Sequence, residues 1–264
     1  MNSNTAFELG DVTFRYPETT ALDGVNLTIW RGECVAVLGA NGSGKSTLLR
    51  VLAGLCFPER GHVEFFGQPL TEATLAQEGF GRDFRRRVGV VFQNPDVQLF
   101  NATVFDEVAF GPLQMEWSKA EIVERVYAAM KDLGIEHLKD RPPHRLSGGE
   151  KKRVALASVL VLDPDVLLMD EPTAALDPKS QGQIVDFLFG CMGRKTVITT
   201  THSLEVAQEI ADRCIVLESG RLAGSGPTAE ILQDAPLLER THLMHAHRHR
   251  HPSGTVHFHP HRHH

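Results

Sequence analysis

Three widely separated strings carry residue types that suit the chemistry of a nucleoside triphosphate: GANGSGKS at 39–46, LSGGE at 146–150 and VLLMDEP at 166–172. The first fills every fixed position of the phosphate-binding pattern G-x-x-x-x-G-K-[ST]. It follows a largely apolar run at 33–38 and opens a helix-like stretch at 45–53, which is the strand–loop–helix setting that such a loop requires. The alternative, a chance glycine-rich turn before a helix, rarely fills all of these positions in that setting. The sequence therefore predicts a nucleoside triphosphate site.

Separate tasks follow from the residue types within this loop. Glycines let backbone N–H groups turn inward around phosphate oxygens, and the helix N-terminus adds partial positive charge. Lys45 is expected to reach the β- and γ-phosphates, and the Ser46 hydroxyl is expected to ligate Mg²⁺. The loop residues predicted to contact the nucleotide are Gly39, Asn41, Gly42, Ser43, Gly44, Lys45, Ser46 and Thr47.

An acidic pair, Asp170 and Glu171, follows the apolar run at 166–169. An unbroken apolar run is typical of a parallel strand buried on both faces. An acid at the carboxyl end of such a strand lies beside the phosphate-binding loop, where Asp170 can hold Mg²⁺ through water. Glu171 is then placed to orient and deprotonate the attacking water. A solvated acidic pair at a strand end is the plain alternative, but behind this loop the catalytic interpretation is favoured.

Together these motifs resemble the nucleotide-binding subunit of an ATP-binding-cassette (ABC) transporter over about residues 5–235. LSGGE resembles the signature loop of that family, with Glu150 where glutamine is more usual. The resemblance implies an aromatic residue that stacks on adenine, a Q-loop glutamine at Mg²⁺ and in catalysis, signature-loop and D-loop residues that contact nucleotide, and a switch histidine. The matching positions are Tyr16, Gln93, Ser147, Gly148, Gly149, Asp177 and His202.

Each of these matches has a simpler structural alternative when it is taken singly. Tyr16 could be an ordinary strand aromatic, Gln93 a polar residue at a strand end, and His202 a histidine hydrogen-bonded at the edge of the core. The position of His202 just past the β-like run at 195–199 favours the catalytic edge of the sheet, where it could bridge the γ-phosphate and the water held by Glu171. Ser203 stands where the family often has aspartate, and we interpret it as a helix-capping variation.

The pattern of elements predicts an α/β fold: a P-loop NTPase ABC cassette with an antiparallel β subdomain and a helical signature subdomain. Alternating residues at 5–31 and 61–67 predict the antiparallel subdomain. Strands at 166–169, 196–199 and 214–218 alternate with helices at 178–191 and 203–212, which is typical of a parallel sheet. The run 88–92 is expected to be a further core strand, and Ser219-Gly220 a hairpin turn.

Two domains are predicted: an ABC ATPase domain at 1–240, with the helical subdomain at about 94–160, and a histidine-rich tail at 241–264. Within the helical subdomain, Ser118 and Glu121 form a capping-box pattern ahead of a helix that reaches residue 133.

The resemblance also implies an oligomer. In this family, Ser147 and the signature glycines contact the γ-phosphate held by the phosphate-binding loop of a second copy. One chain carries one loop of each kind, so two copies facing head to tail complete two sites. We therefore expect an ATP-dependent dimer that uses ATP and Mg²⁺, and that works with transmembrane coupling and substrate-capture subunits at the cytoplasmic face of a membrane.

Composition limits the alternatives. The 264 residues have 42% hydrophobic content and a formal net charge of −6. Without the three arginines of the tail, 24 basic residues face 33 acidic ones, which disfavours a nucleic-acid partner. The apolar stretch at 154–162 is shorter than the ~18 residues that a membrane-spanning helix needs. The four cysteines have neither metal-site nor disulfide spacing and are expected to be reduced core residues.

Residues 92–112, from the Q-loop onward, resemble the ATPases of energy-coupling-factor importers, which take up metal ions and vitamins. Five apolar side chains make this segment unusual: Leu99, Phe100, Val104, Phe105 and Phe110. Some are expected to pack inside the helical subdomain, and others to form a groove for a coupling helix of the membrane subunit.

The tail holds ten of the 14 histidines and no acidic residue. Its composition predicts disorder. Imidazoles at alternating positions suit nickel, cobalt, zinc or copper, and together with the importer resemblance they point to nickel or cobalt. The candidate ligands are His242, His245, His247, His249, His251, His257, His259, His261, His263 and His264. A purification tag and a cationic flap on anionic lipid are the alternatives.

Three functions remain open from the sequence. The favoured one is the ATPase subunit of an importer for cobalt or nickel ions. The second is the ATPase of an importer for a vitamin or another solute. The third, a non-transport ABC ATPase acting on DNA or ribosomes, is disfavoured because the chain lacks a basic face and a second cassette.

Overall fold

The computed structural model describes the backbone of residues 4–250 and 256–261, and the side chains of residues 4–244. The strands are β1 (Thr5–Tyr16), β2 (Thr19–Trp30), β3 (Cys34–Leu38), β4 (Arg60–Phe65), β5 (Gln68–Pro69), β6 (Val88–Val91), β7 (Val166–Asp170), β8 (Thr196–Thr201), β9 (Arg213–Glu218), β10 (Arg221–Pro227), β11 (His245–Arg250) and β12 (Val256–His261).

Ten α-helices connect and cover these strands in the described part of the chain. They are α1 (Lys45–Leu52), α2 (Glu72–Leu75), α3 (Glu78–Arg87), α4 (Val104–Gln114), α5 (Lys119–Asp132), α6 (Gly148–Leu160), α7 (Pro178–Cys191), α8 (Leu204–Ile210), α9 (Thr228–Ile231) and α10 (Ala235–Arg240). None of the helices so described is both long and apolar enough to cross a membrane.

The predicted antiparallel subdomain is confirmed. Its four strands pair in the order β2-β1-β4-β5, and the antiparallel register sets Leu9 opposite Leu27 and Val63. All three side chains are buried, as the alternating pattern requires for the face that packs on the core. This sheet covers one side of the nucleotide-binding core and supplies Tyr16 at the end of β1.

The central sheet has the order β10-β9-β3-β8-β7-β6, with parallel pairing throughout except for the β9–β10 hairpin. Every residue of β3 and β8 is buried, because helices cover both faces of a parallel sheet. The predicted turn residues Ser219 and Gly220 both have positive φ, 49° and 79°, as the tight turn demands. The carboxyl ends of β3, β7 and β8 meet at one edge, and the site lies there.

The helical subdomain is formed by α4, α5 and α6 between β6 and β7. Helix α5 begins where predicted, and the Ser118 hydroxyl accepts the backbone N–H of Glu121. The reciprocal half of the predicted capping box is wrong, because the Glu121 carboxylate pairs with Arg125 one turn further on, at 3.4 Å. An exposed carboxylate can choose either partner at little cost.

The body of the fold extends past the predicted boundary at residue 240. Thr241, Leu243 and Met244 are buried, and the two apolar side chains pack in the cluster that contains Leu38 and Val216 of the central sheet. The Thr241 hydroxyl donates to the Leu237 carbonyl oxygen at 2.8 Å. The segment 241–244 therefore belongs to the ATPase domain.

The tail also differs from the predicted disorder. Strands β11 and β12 form a separate two-stranded antiparallel sheet, whose register sets His245 opposite His261 and His247 opposite His259. The alternation of histidine with other residues has the period of two that a strand requires, which compositional reasoning did not weigh.

Candidate active site

An open cleft of about 680 Å³ lies at the carboxyl edge of the central sheet. Six predicted residues of the phosphate-binding loop and of the start of α1 line it: Asn41, Gly42, Gly44, Lys45, Ser46 and Thr47. Four predicted residues reach the same cleft from other segments: Tyr16, Gln93, Glu171 and His202. The fold thus brings together residues that are separated by up to 186 positions in sequence.

The loop between β3 and α1 depends on two glycines with positive φ. Gly42 has φ 82° and Gly44 has φ 105°. A Cβ atom on Gly44 would lie 2.5 Å from the carbonyl oxygen of Ala21, so no other residue fits there. The loop delivers the N-terminus of α1 to the cleft, where the first N–H groups of the helix have no partner within it. Such groups bind phosphate oxygens.

Lys45 is buried, and its ammonium donates to the carbonyl oxygens of Gly39 at 2.8 Å and Ala40 at 3.2 Å. Burial lowers the pKa of Lys45, while the charges of Glu171 and Asp170 act in the opposite direction. The side chain therefore lies across the loop, held as a cation between backbone oxygens and two carboxylates. A phosphate group in the loop would add the anionic partner that this buried cation favours.

Oxygen ligands suited to a divalent cation converge on Asp170. The Ser46 hydroxyl donates to Asp170 Oδ1 at 3.1 Å, and the Thr200 hydroxyl donates to the same oxygen at 2.6 Å. The three residues come from α1, β7 and β8 respectively. Mg²⁺ prefers hard oxygen ligands of this kind together with water and phosphate. The ligand set therefore fits the predicted Mg²⁺ site.

Two further observations support phosphate binding in the loop. The Ser43 hydroxyl is buried without a hydrogen-bond partner among the described residues, which is the state of a group that awaits a ligand or a water molecule. Gly39 and Ser43, although predicted as contacts, lie behind the loop instead of lining the main cleft. A Cβ atom on Gly39 would lie 2.4 Å from Ser43 Oγ, so these two residues shape the loop from within.

Glu171 and His202 form a pair at the open side of the cleft. His202 Nδ1 lies 3.1 Å from both carboxylate oxygens of Glu171. Glu171 is buried, whereas the side chain of His202 is 63% exposed. The backbone of Glu171 has φ 45°, a left-handed conformation uncommon for this residue type, and its N–H donates to Thr200 Oγ1 at 3.0 Å. Strained conformations of this kind cluster at functional sites.

Tyr16 closes the other end of the cleft. Its ring is 37% exposed, and its hydroxyl accepts from Arg50 Nη1 at 3.0 Å. This hydrogen bond is the main reason why the pKa of Arg50 is raised. The exposed ring face at the end of β1 can stack on a planar base.

The signature loop and the D-loop lie outside this cleft. Ser147 caps α6 by accepting from the Glu150 N–H, and the Glu150 carboxylate accepts from the Ser147 N–H in return, at 2.8 Å. That second bond lowers the pKa of Glu150. Asp177 caps α7, and its bond from Ser180 lowers its own pKa. Ser147, Gly148, Gly149 and Asp177 thus lie at the starts of α6 and α7, and none of them lines the cleft of their own chain.

Sequence reasoning missed part of the cleft wall. Leu243 lines it beside His242, and Thr19 and Ala21 line it near Tyr16. His242 was predicted as a tail metal ligand, yet it lies beside Ala40 and Asn41 of the phosphate-binding loop. No spacing signal marks these residues, because they reach the cleft through tertiary packing alone.

The remaining metal predictions for the tail cannot be placed on side chains. His245, His247, His249, His257, His259 and His261 lie in β11 and β12, where only the backbone is described, and His251, His263 and His264 lie outside the described residues. In the part of the chain with described side chains, no group of three or more His, Cys, Asp or Glu residues could hold a metal ion.

Comparison with known proteins agrees with this fold. The family model for the ABC transporter matches residues 22–174. A nickel import ATP-binding protein of Rhodobacter capsulatus is 55% identical over 243 residues, covering 90% of this chain and 96% of that protein. An energy-coupling factor transporter ATP-binding protein of Carboxydothermus hydrogenoformans is 45% identical over 242 residues, covering 91% and 87%.

A solved structure shows the same architecture. The ATP-binding cassette MJ0796, determined as a dimer in a post-hydrolysis state with ADP and Pi, matches with a TM-score of 0.75 and 31% identity, covering 84% of this chain and 98% of that one. The present chain belongs to the ABC transporter family, and it is an ATP hydrolase of that family.

Proposed function

We propose that this chain is the ATP-hydrolysing subunit of a membrane importer for nickel or cobalt ions. The observation that carries the ATPase part is the convergence of Ser46, Glu171 and His202 on one cleft beside a complete phosphate-binding loop, with Asp170 bonded to Ser46 behind it. The importer part is supported by the similarity to a nickel import protein and to an energy-coupling factor protein over most of the chain.

Each cleft residue takes a role that its contacts support. Tyr16 would stack on adenine, the amides at the start of α1 and Lys45 would hold the phosphates, and Ser46, Gln93 and Asp170 would hold Mg²⁺, directly or through water. When bound, Mg²⁺ would neutralise negative charge that develops on the phosphate oxygens. Glu171, buried and oriented by His202, accepts a proton from water as the water oxygen bonds to the γ-phosphorus. The bond from that phosphorus to the bridging oxygen breaks, which leaves ADP and inorganic phosphate.

A second copy of the chain completes the site. Ser147, Gly148, Gly149 and Asp177 do not line the cleft of their own chain, and the Gly148 and Gly149 N–H groups at the start of α6 have no partner within the helix. A head-to-tail partner would bring these groups to the γ-phosphate. The dimeric state of the similar cassette MJ0796 supports this arrangement.

An exposed apolar face of the helical subdomain is the proposed docking surface for the membrane subunits. The five apolar residues predicted for this region divide as expected: Val104 is buried, and Leu99 and Phe105 pack against the core. Phe100 is 66% exposed and lies 5.0 Å from Phe110, ring centre to ring centre. An apolar patch of this kind suits an amphipathic coupling helix.

The loop that carries Phe100 is held rigidly for such a role. The Glu107 carboxylate, buried at 3% exposure, accepts the backbone N–H groups of Phe100 and Asn101, both at 2.8 Å. Buried carboxylates with two such donors fix a loop more firmly than neutral hydrogen bonds do. A docking loop held this way loses little entropy when a partner binds.

The histidine-rich tail supports a metal cargo, with nickel or cobalt as the ions that imidazole ligands suit. The second candidate is an importer for a vitamin or another solute. It remains a candidate because the similar energy-coupling factor protein is named without a cargo. Measuring which solute is transported distinguishes these two candidate functions.

The test is uptake of radioactive nickel, cobalt and a vitamin by cells that express this chain with the membrane proteins encoded beside it, using Glu171→Gln as the inactive control. Uptake of nickel or cobalt that is lost in the control supports the proposal. Uptake of the vitamin alone would establish the second candidate, and uptake unaffected by Glu171→Gln would remove the chain from the transporter.

A further inference from the structure

Lys152 is an unusual lysine, because it is buried at 2% exposure inside α6, the helix that begins at the signature loop. Lysine is among the residues least often buried, since an ammonium loses its hydration there. Among the described residues no carboxylate lies within ion-pair distance of it. Backbone carbonyl oxygens take the place of a carboxylate around its ammonium.

The Lys152 ammonium donates to two backbone oxygens of the Q-loop. It lies 2.6 Å from the Gln93 carbonyl oxygen and 3.2 Å from that of Phe92. Gln93 lines the nucleotide cleft, whereas Lys152 follows Ser147 by about one and a half helical turns. One cation therefore connects the segment that faces the chain's own nucleotide to the helix that presents the signature loop.

A neighbouring side chain makes the same connection. Gln98 Oε1 accepts the Phe92 N–H at 3.4 Å, and Gln98 Nε2 donates to the carbonyl oxygen of Ala155 at 3.1 Å. Ala155 lies three residues beyond Lys152, on the same side of α6. The Q-loop backbone is thus held to one face of the signature helix at two successive positions.

The field of the catalytic carboxylates supports the charged form of this lysine. Burial lowers the pKa of Lys152 to about 8, and the charges of Asp170 and Glu171 oppose that shift. A buried cation without an ion pair costs stability that an apolar residue of similar size would avoid. Its presence is therefore better explained by what it holds than by the packing it provides.

We propose that Lys152 is a positioning residue, which ties Gln93 to the signature helix so that the two nucleotide sites of a dimer respond to each other. The inference rests on the proposed function, because in a head-to-tail dimer Ser147 serves the partner's nucleotide while Gln93 serves the chain's own. Movement of α6 when the partner's nucleotide engages Ser147 is carried through Lys152 to the backbone of Gln93.

The test compares Lys152→Met, which keeps the length and removes the donors, with Lys152→Arg, which keeps a cation. The matched control is Lys195→Met, since the Lys195 ammonium makes an ion pair with Asp163 at 2.5 Å and neither residue belongs to the 92–98 segment. All variants are full-length chains, and each is measured for deuterium uptake by residues 92–98 without nucleotide and for the rate and cooperativity of ATP hydrolysis.

For Lys152→Met we expect faster deuterium uptake confined to the 92–98 segment. We also expect a fall in kcat of about 10- to 100-fold with KM for ATP changed less than kcat, since misplaced groups cost rate even when binding persists. The Hill coefficient should move toward unity. Lys152→Arg should recover most of the rate, and Lys195→Met should resemble the unchanged chain.

Three results would overturn the inference: unchanged uptake at 92–98 in Lys152→Met, a rate loss without any change in cooperativity, or equal effects from Lys195→Met. If Lys152→Arg does not fold, Lys152→Gln, which keeps an N–H donor, takes its place. Failure of the proposed function is distinguishable, because the unchanged chain would then support no uptake of nickel or cobalt and would form no ATP-dependent dimer, while the deuterium uptake would still report on the link.

Discussion

The nucleotide cleft and the outward-facing motifs of this chain are built in different ways. In the cleft, side chains from α1, β7 and β8 contact one another directly, as Ser46, Asp170 and Thr200 do. At the signature loop and around Phe100 the closest bonds are instead local, from Ser147 to Glu150 and from Phe100 to Glu107, and the side chains of Ser147 and Phe100 are exposed. Within one chain, the side chains that hold the nucleotide are thus bonded to one another. The exposed residues Ser147 and Phe100 are instead available to a second copy or a membrane subunit.

The largest effect should come from Glu171→Gln, which changes the cleft and spares the outward motifs. A general base typically contributes ~10²–10⁴-fold, so turnover should fall by that factor while nucleotide affinity is retained. ATP should then hold the variant as a dimer, measured by size-exclusion chromatography with light scattering. Hydrolysis near the level of the unchanged chain would mean that another group activates the water.

The outward face is tested by Phe100→Asp, which places a charge on the proposed docking surface. Uptake by the complete transporter should be lost, because the apolar contact with the coupling helix is replaced by a desolvated carboxylate. ATP hydrolysis by the isolated subunit should stay within about twofold, as expected for a surface change. Phe189→Asp is the matched control, since Phe189 is 65% exposed on α7. Equal loss of uptake in both variants would remove the docking assignment.

Two truncations test where the ATPase domain ends and the histidine-rich tail begins. Ending the chain after Met244 should leave the melting temperature and ATP hydrolysis unchanged and remove most nickel binding, measured by calorimetry near neutral pH. Ending it after Arg240 also removes the buried side chains of Leu243 and Met244, each worth about 1.5–3 kcal/mol. This shorter chain should melt at a lower temperature.

Equal nickel binding by the full-length chain and the chain that ends at Met244 would refute a metal-binding tail and leave the lipid-contact alternative. Binding that does belong to the tail should weaken as pH falls through about 6.5, because protonated imidazole has no lone pair for a metal. Equal melting temperatures for the two truncated chains would mean that the ATPase domain ends at residue 240.

The smallest effect concerns Lys152, which joins the two regions. Its pKa of about 8 lies below the ordinary 10.5, so folding carries the cost of a buried charge below about pH 8, and this cost disappears as pH rises toward 10.5. At 1.36 kcal/mol per pKa unit, the change is about 3 kcal/mol. The unfolding free energy of the unchanged chain should rise by that amount relative to Lys152→Met between about pH 7 and 10.5. A constant difference across that range would contradict a depressed pKa.

The sequence was most informative where chemistry requires fixed spacing. The loop at 39–46, the acidic pair after β7 and the histidine after β8 could be assigned because each motif follows a buried strand, and parallel strands end at one edge. The predicted capping by Ser203 is confirmed, since its hydroxyl accepts the Val206 N–H at 3.2 Å. Local signals of this kind do not depend on distant packing.

Other features required the tertiary structure. Lys152 lies in the basic string Lys151-Lys152-Arg153, which resembles a solvated helix face, and only the contact with the Q-loop reveals its burial. Leu243 and Met244 stand among histidines, so the average composition concealed two buried residues. The sequence predicted that only some apolar residues of the segment after the Q-loop pack inside, and this is what the structure shows. Tertiary packing alone decides that Phe105 packs against the core while Phe100 is exposed.

The central claim, that each chain supplies half of each site, is tested most directly by mixing two inactive variants. Lys45→Ala removes the phosphate-binding cation, and Ser147→Arg places bulk and charge at the signature loop, so each variant alone should fail to hydrolyse ATP. In a mixed dimer, the intact cleft of one chain faces the intact signature loop of the other. Mixing should therefore restore a fraction of the ATPase activity, whereas continued inactivity of the mixture, or full activity of Ser147→Arg alone, would contradict the shared site.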